Sequence, residues 1–285
     1  RQRQMCIRDS FNTASGPVGY LHFTTHIATA ESELINAIDS LASANITELV
    51  LDLRYNGGGF LDIANELAFM IAGPAAAQGR IFDEITFSDK HPSINPVTGA
   101  ALSPDFFHTT TQGFSVAAGQ NLPSLNLPRV FILSGPGTCS ASEAIINGLR
   151  GINVEVILIG ESTCGKPYGF FPFDNCGTTY FTIQFSGSND KGFGDYADGF
   201  TPVATETAAD PASVKGCAIV DDFSNPLGDA NEARLAAALD YIATGNCPQI
   251  TSNATKSLPI SKSISAASGP AIGAGAKMPG GVKQR

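Results

Sequence analysis

Arg129-Val130-Phe131-Ile132-Leu133 runs through Ser134-Gly135-Pro136-Gly137-Thr138-Cys139 into Ser140-Ala141-Ser142-Glu143, and the reading of this junction decides the fold. Its first half is a short apolar run of strand type. Beyond it, Ala144, Ile145, Ile146 and Leu149 form a helical stripe. The small residues between them make a strand-to-helix turn, and Ser140 falls at the helix N-terminus. There, unpaired N–H groups and the positive end of the helix dipole favour developing negative charge. Two roles fit Ser140: a nucleophile, or an N-cap whose Glu143 three residues on closes a capping box. Taken alone the stretch favours the cap, since capping boxes are far commoner than nucleophiles.

Upstream, Gly19-Tyr20-Leu21-His22-Phe23-Thr24-Thr25-His26-Ile27 alternates as a strand, with Leu21, Phe23 and Ile27 on one face and His22, Thr24 and His26 on a polar face. Thr29, Glu31 and Glu33 open a helix carrying Leu34, Ile38 and Leu41, closed by Asn45. Glu48 to Leu53 is the continuous apolar run of a buried parallel strand, broken at Arg54-Tyr55-Asn56-Gly57-Gly58-Gly59. A helix over Phe60 to Ala72 follows, stopped by Gly73-Pro74. This alternation predicts right-handed βαβ units. Residues 83–128 show little period and several prolines, and read as a lid or binding loop.

Downstream, Val154 to Ile159 is another buried strand, ending at Gly160-Glu161-Ser162-Thr163-Cys164-Gly165-Lys166-Pro167. Phe170 to Phe173 and Thr178 to Phe185 predict a hairpin around Asn175-Cys176-Gly177, with Phe181, Ile183 and Phe185 facing one way. Asp229 is expected to cap a last helix bearing Leu235, Leu239 and Ile242 and ended by Gly245.

The 285 residues and 43% hydrophobic content allow a sizeable core. A net charge of −9 argues against nucleic acid or an anionic membrane as partner, and no apolar run reaches the length of a membrane span. Gln4-Met5-Cys6-Ile7-Arg8-Asp9-Ser10 resembles a sequencing adapter read in frame. Residues 1–10 are therefore expected to be a non-native leader, 11–250 the catalytic domain, and the aperiodic Ser-, Ala- and Gly-rich stretch 251–285 a disordered tail. Cys139, Cys164, Cys176, Cys217 and Cys247 lack zinc-site spacing. Cys217–Cys247 is the first expected bridge; a second joins Cys164 to Cys139 or to Cys176. Bridges imply a periplasmic or extracellular location.

Three loops at strand ends carry the chemistry: Asn56 to Gly59, Thr138 to Ala141, and Gly165 to Pro167. Parallel neighbouring strands would set them along one sheet edge, where α/β sheets bind ligands. The glycine run does not match a nucleotide-binding pattern and suits close backbone approach to a substrate instead. Asp52-Leu53-Arg54-Tyr55-Asn56-Gly57-Gly58-Gly59, Ser140-Ala141-Ser142-Glu143 and Gly160-Glu161-Ser162-Thr163-Cys164-Gly165-Lys166, in that order, resemble the linked motifs of the carboxy-terminal-processing, or tail-specific, serine peptidases. The likeness runs from about Gly19 to Pro202. It implies a crotonase-like or ClpP-like α/β fold with a parallel-sheet core, and a Ser-Lys dyad. By motif position Ser140 is the nucleophile and Lys166 the general base. The N–H groups of Gly58, Gly59 and Ala141 supply the oxyanion hole.

A lysine serves as base only when its pKa falls by about three units, roughly 4 kcal/mol, which the apolar run before Lys166 and the aromatic residues after it make plausible through burial. The family often places a glutamine four residues after the lysine; here that position is Phe170. His26, on the expected polar face, is a candidate orienting residue. The expected function is a serine endopeptidase acting on extended polypeptides through an acyl-enzyme, with no cofactor and no metal. Alternatives are a non-catalytic peptide- or ligand-binding protein on the same fold and, less well matched, an acyl-CoA enzyme, for which no basic nucleotide site is visible.

Overall fold

The computed structural model describes residues 6–248. In chain order the elements are β1 (Cys6–Thr13), β2 (Gly16–Phe23), α1 (Ala30–Ser43), β3 (Glu48–Asp52), α2 (Leu61–Ala72), α3 (Pro74–Ala77), β4 (Ile81–Thr86), β5 (Asp105–Phe106), β6 (Arg129–Ser134), α4 (Ala141–Gly151), β7 (Glu155–Gly160), β8 (Tyr168–Gly169), β9 (Phe173–Asn175), β10 (Thr178–Tyr180), β11 (Phe185–Ser188), β12 (Thr201–Val203), β13 (Ser213–Ala218) and α5 (Ala233–Thr244).

The main sheet has seven strands in the order β1-β2-β3-β6-β7-β13-β12. All its pairs are parallel except β1 with β2. The apolar runs sit at its centre because both faces are covered. Leu49, Leu51, Ile132 and Leu158 pack in one core with residues of α1, α2 and α4. Val50, Phe131, Leu133, Ile157 and Ile159 meet Leu235, Ala238 and Ile242 of α5 in a second core. A strand buried on both sides has no reason to alternate, which is why these segments read as unbroken hydrophobic runs.

The same two-sided burial corrects the expectation for β2. Leu21 and Phe23 do face the helices, but the opposite face is covered too: Val18 and Tyr20 join the second core, and His22 and His26 are buried. Ile27 is exposed. At the sheet edge, β1 sets Cys6 opposite Phe23 and Thr13 opposite Gly16. The described part of the expected leader thus extends the sheet, through main-chain pairing that needs no particular side chains.

The irregular segment holds most of β4 and all of β5, and is otherwise irregular, yet it is anchored. Phe107, Leu122 and Leu127 enter the first core. The buried Glu31 carboxylate accepts the N–H groups of Gln112 (3.1 Å), Gly113 (2.9 Å), Ser115 (2.5 Å) and Val116 (3.0 Å). The hairpin forms as β9 and β10 around Cys176-Gly177, both at positive φ as a two-residue turn requires. Phe181, Ile183 and Phe185 do not share a face: the first two are exposed, and Phe185 is buried where the chain enters β11, in the sheet β5-β4-β11-β8.

The sequence pattern missed β12 and β13, short strands that continue the main sheet past β7. It also misplaced the cap of α5. The cap is Glu232, whose carboxylate accepts from the N–H groups of Arg234 and Leu235 and pairs with Arg54, so a tertiary ion pair selects it over Asp229. Gly245 closes α5 in the left-handed conformation as expected. Cys217–Cys247 and Cys139–Cys164 are disulfides, and Cys176 is an exposed thiol. The expected tail, 251–285, lies outside the described residues.

Candidate active site

β3, β6 and β7 are consecutive parallel neighbours, so the loops leaving their C-terminal ends lie side by side. Each loop is bonded to the next. Between the first two, Thr138 Oγ1 donates to Leu53 O (2.9 Å), Cys139 N–H to Asn56 O (3.0 Å) and Ser142 Oγ to Asn56 O (3.0 Å). Between the second and third, Cys164 N–H donates to Thr138 O (3.0 Å), and the Cys139–Cys164 disulfide joins the residue before Ser140 to the residue two before Lys166.

Glu143 is the hub of this edge, and it is fully buried. Its Oε2 accepts the N–H of Ser140 (2.9 Å) and of Lys166 (2.8 Å). Its Oε1 accepts the N–H of Gly165 (2.8 Å) and the hydroxyl of Thr163 (2.6 Å). The capping-box pattern identified Glu143 as a local partner of Ser140. Its three bonds to the lysine loop are tertiary and leave no trace in sequence spacing.

Ser140 has φ 57° and ψ −116°. Positive φ is rare outside glycine and costs on the order of 1–3 kcal/mol, which persists only where the surroundings over-determine it. Here the neighbouring N–H groups, the disulfide and Glu143 do so. Ala141 opens α4 immediately after, leaving its N–H among the first-turn donors that no helical carbonyl takes.

The glycine loop packs directly on this turn. A Cβ on Gly58, whose φ is +96°, would lie 2.8 Å from Cys139 O and from Ser140 Cβ, and 2.9 Å from Ala141 N. The Gly58 N–H itself donates to Asn56 Oδ1 (3.0 Å). Of the three expected oxyanion donors, Gly58 is therefore already committed to a side chain. Gly59 bridges to His26 through bonds made by its neighbours, His26 N–H to Gly58 O and Phe60 N–H to His26 O, neither of which uses the Gly59 N–H.

His26 lies behind this loop. Its ring is fully buried, packs edge-on against Phe23 and shares Asn56 Oδ1 through Nδ1 (3.1 Å), while Nε2 has no hydrogen-bond partner among the described residues. Burial pushes its pKa down to about 3, so the imidazole is neutral at physiological pH and donates to Asn56. The structure thus joins His26 to the glycine loop through Asn56, a residue that sequence reasoning named only as part of a motif.

Lys166 is half-buried, and burial lowers its pKa against the opposing pull of the Glu143 charge. Its Nζ lies 4.9 Å from the centre of the Phe170 ring, so Phe170 does touch the lysine, by an aromatic face rather than an amide. Among the described residues no carboxylate pairs with Nζ.

Arg54 is structural. Fully buried, it bonds Asp52 (2.6 Å from Nη2) and Glu232 (2.7 Å), and Tyr20 adds its hydroxyl to Asp52 (2.7 Å). This network fastens the start of α5 under the site. Two groups bring metal-type ligand atoms together. Cys139 and Cys164 approach Glu143 but are bonded to each other, which leaves no thiolate. Asp62, Asp105 and His108 also converge, with His108 Nε2 and Asp62 already hydrogen-bonded at 3.0 Å. A cleft of about 380 Å³ opens at the same sheet edge between Pro136, Glu161, Ser162, Pro202 and Ile219; neither Ser140 nor Lys166 lines it.

Residues 17–174, from β2 to β9, match the family model described as Peptidase family S41. A carboxyl-terminal-processing protease of Picosynechococcus is 28% identical over 149 residues, 52% of this chain and 29% of that protein. A crystal structure of a Bacteroides fragilis protein assigned to the S41 proteases superposes with a TM-score of 0.66 at 26% identity, over 84% of this chain and 57% of that one. The photosystem II D1 C-terminal processing protease shares the fold, with a TM-score of 0.51 at 19% identity over 70% and 47% of the two chains. The chain thus spans less than a third of the curated relative and little more than half of the Bacteroides structure.

Proposed function

This chain belongs to peptidase family S41, and from that premise we propose that it is a serine endopeptidase working through a Ser140–Lys166 dyad on extended polypeptides. Neutral Lys166 takes the hydroxyl proton as Ser140 Oγ attacks the scissile carbonyl. The N–H groups of Ala141 and Gly59 receive the oxyanion, since that of Gly58 is held by Asn56. Lys166 then returns the proton to the departing amine, and water hydrolyses the acyl-enzyme by the same steps in reverse. The glycine loop's close packing on Ser140 and the downward shift of the Lys166 pKa are what this chemistry needs.

The observation that carries the reading is the single carboxylate oxygen of Glu143. It accepts from the main chain of both Ser140 and Lys166 and so couples the proposed nucleophile to the proposed base. The parallel core with its site on strand-end loops is of the crotonase-like or ClpP-like type under this reading. Two disulfides favour a periplasmic or extracellular setting.

The test uses β-casein, an unstructured polypeptide, and a fluorescent fluorophosphonate. The wild type is expected to cleave the first and bind the second covalently. Ser140→Ala should lose both, and Lys166→Ala should lose cleavage while remaining folded. A wild type that gives neither cleavage nor adduct overturns the proposal.

A further inference from the structure

Five aromatic residues and an isoleucine crowd the segment that follows Lys166. Phe173 is 58% exposed, Phe181 59% and Ile183 61%, and Tyr168, Phe170 and Tyr180 are also exposed. Single exposed apolar residues are ordinary; several gathered on one short segment mark a surface that meets a partner. Two of its rings, Phe170 and Phe181, meet edge-on at 5.5 Å. It is also continuous with the site, because the Phe170 ring lies 4.9 Å from Lys166 Nζ.

The backbone offers a companion feature. β8, which begins two residues after Lys166, is the terminal strand of its sheet and among the described residues pairs only with β11. No strand among the described residues pairs with its other edge, and an added strand is the mode in which an extended peptide gains main-chain bonds and presents alternate side chains to pockets.

Resting on the peptidase reading, we propose that Phe170 and Phe181 form a wall that takes an apolar side chain of the substrate on the leaving-group side of the scissile bond. The side is fixed by the chemistry. A lysine that takes the serine proton must hand it to the departing amine, so Nζ stands over the leaving-group half of the substrate. A ring in contact with Nζ borders that same half. The first residue after the cleaved bond is therefore the one within reach of Phe170, with Phe181 extending the wall away from the lysine. The two rings carry no charge, so the wall selects by burial of apolar area and leaves a neutral polar side chain without compensation.

The test compares two internally quenched peptides that differ only in the residue after the cleaved bond, leucine or serine. For the wild type, kcat/KM is expected to favour leucine on the order of tenfold or more, the scale of discrimination that a hydrophobic pocket supplies. Phe181→Ser, at an exposed position where folding is not at stake, should reduce that ratio to about two. Phe223→Ser, at another exposed aromatic residue, should leave it unchanged. Cleavage by the wild type with no preference for leucine, or a ratio unaltered by Phe181→Ser, overturns the inference and leaves the peptidase reading standing. Failure of the wild type to cleave either peptide or β-casein overturns both.

Discussion

Replacing Glu143 with glutamine tests the coupling of the three loops most directly. The carboxylate accepts four hydrogen bonds in full burial: two on Oε2, from Ser140 and Lys166, and two on Oε1, from Gly165 and Thr163. An amide keeps one acceptor oxygen. If its NH2 group takes the Oε1 place, the Thr163 hydroxyl can rotate to accept from it, but the Gly165 N–H is stranded in burial, at about 1–3 kcal/mol. The two bonds retained at the other oxygen lose their charge assistance, about 1 kcal/mol each. The sum is about 3–5 kcal/mol, or a fall in Tm on the order of 10 °C for a domain of this size. A second effect has a different sign. The Glu143 charge holds the Lys166 pKa up against burial, so its removal lets that pKa fall further. The rising limb of kcat/KM against pH, which reports ionisation of the proposed base, should move to lower pH in Glu143→Gln while the protein becomes less stable. Urea denaturation and a pH–rate profile read the two effects separately. Stability within 1 kcal/mol of wild type, or a limb displaced to higher pH, would refute the assignment of Glu143 as the hub.

Gly58→Ala should cut kcat/KM by at least a hundredfold. The added Cβ meets the backbone around Ser140 at 2.8–2.9 Å, and φ of +96° does not suit alanine; steady-state kinetics on a quenched peptide checks it. Cys139→Ser/Cys164→Ser removes a bridge between residues 25 apart and should cost roughly 3 kcal/mol in guanidinium unfolding. It should depress activity more than Cys217→Ser/Cys247→Ser, whose bridge lies away from the three loops. His26, neutral down to about pH 3 when folded and about 6.5 when unfolded, binds fewer protons in the native state across that window. Its contribution is therefore complete above pH 6.5 and is lost on acidification, reaching about 2 kcal/mol by pH 5. In His26→Gln the slope of unfolding free energy between pH 6 and 4 should fall by about 1.2 kcal/mol per pH unit, measured by urea titrations at several pH values. An unchanged slope would show that His26 titrates alike in both states.

Much of this fold was legible because its signals are local. Val130 to Leu133, Leu49 to Leu51 and Val156 to Ile159 are apolar on every residue, and only a strand covered on both faces asks for that. The glycine at 245 and the Cys176-Gly177 turn follow from backbone conformations that few residues adopt. What escaped reading is tertiary. Glu232 caps α5 in place of Asp229 because Arg54, 178 positions earlier, selects it. β12 and β13 are three and six residues long and gain their order from strands already in place. His26 reads as part of a polar strand face, yet it is buried, because alternation says which side chains share a face and not what covers it. In the site, motif spacing picked out Ser140, Lys166 and the glycines. The carboxylate joining them, and the commitment of the Gly58 N–H to Asn56, depend on distances between loops.

The backbone at Ser140 bears on the choice between cap and nucleophile. A serine that merely capped α4 would adopt the extended conformation usual at that position, at no cost. Instead φ is 57°, and the strain is opposed by bonds from Cys139 to Asn56, from Ser140 to Glu143 and from Ser142 to Asn56, together with the disulfide. Every one of these restraints acts on the residue's main chain or on its neighbours. The half of the capping box made by Glu143 is thus one of the restraints that hold Ser140 in its strained conformation, so capping here goes together with the geometry that the proposed nucleophile role requires.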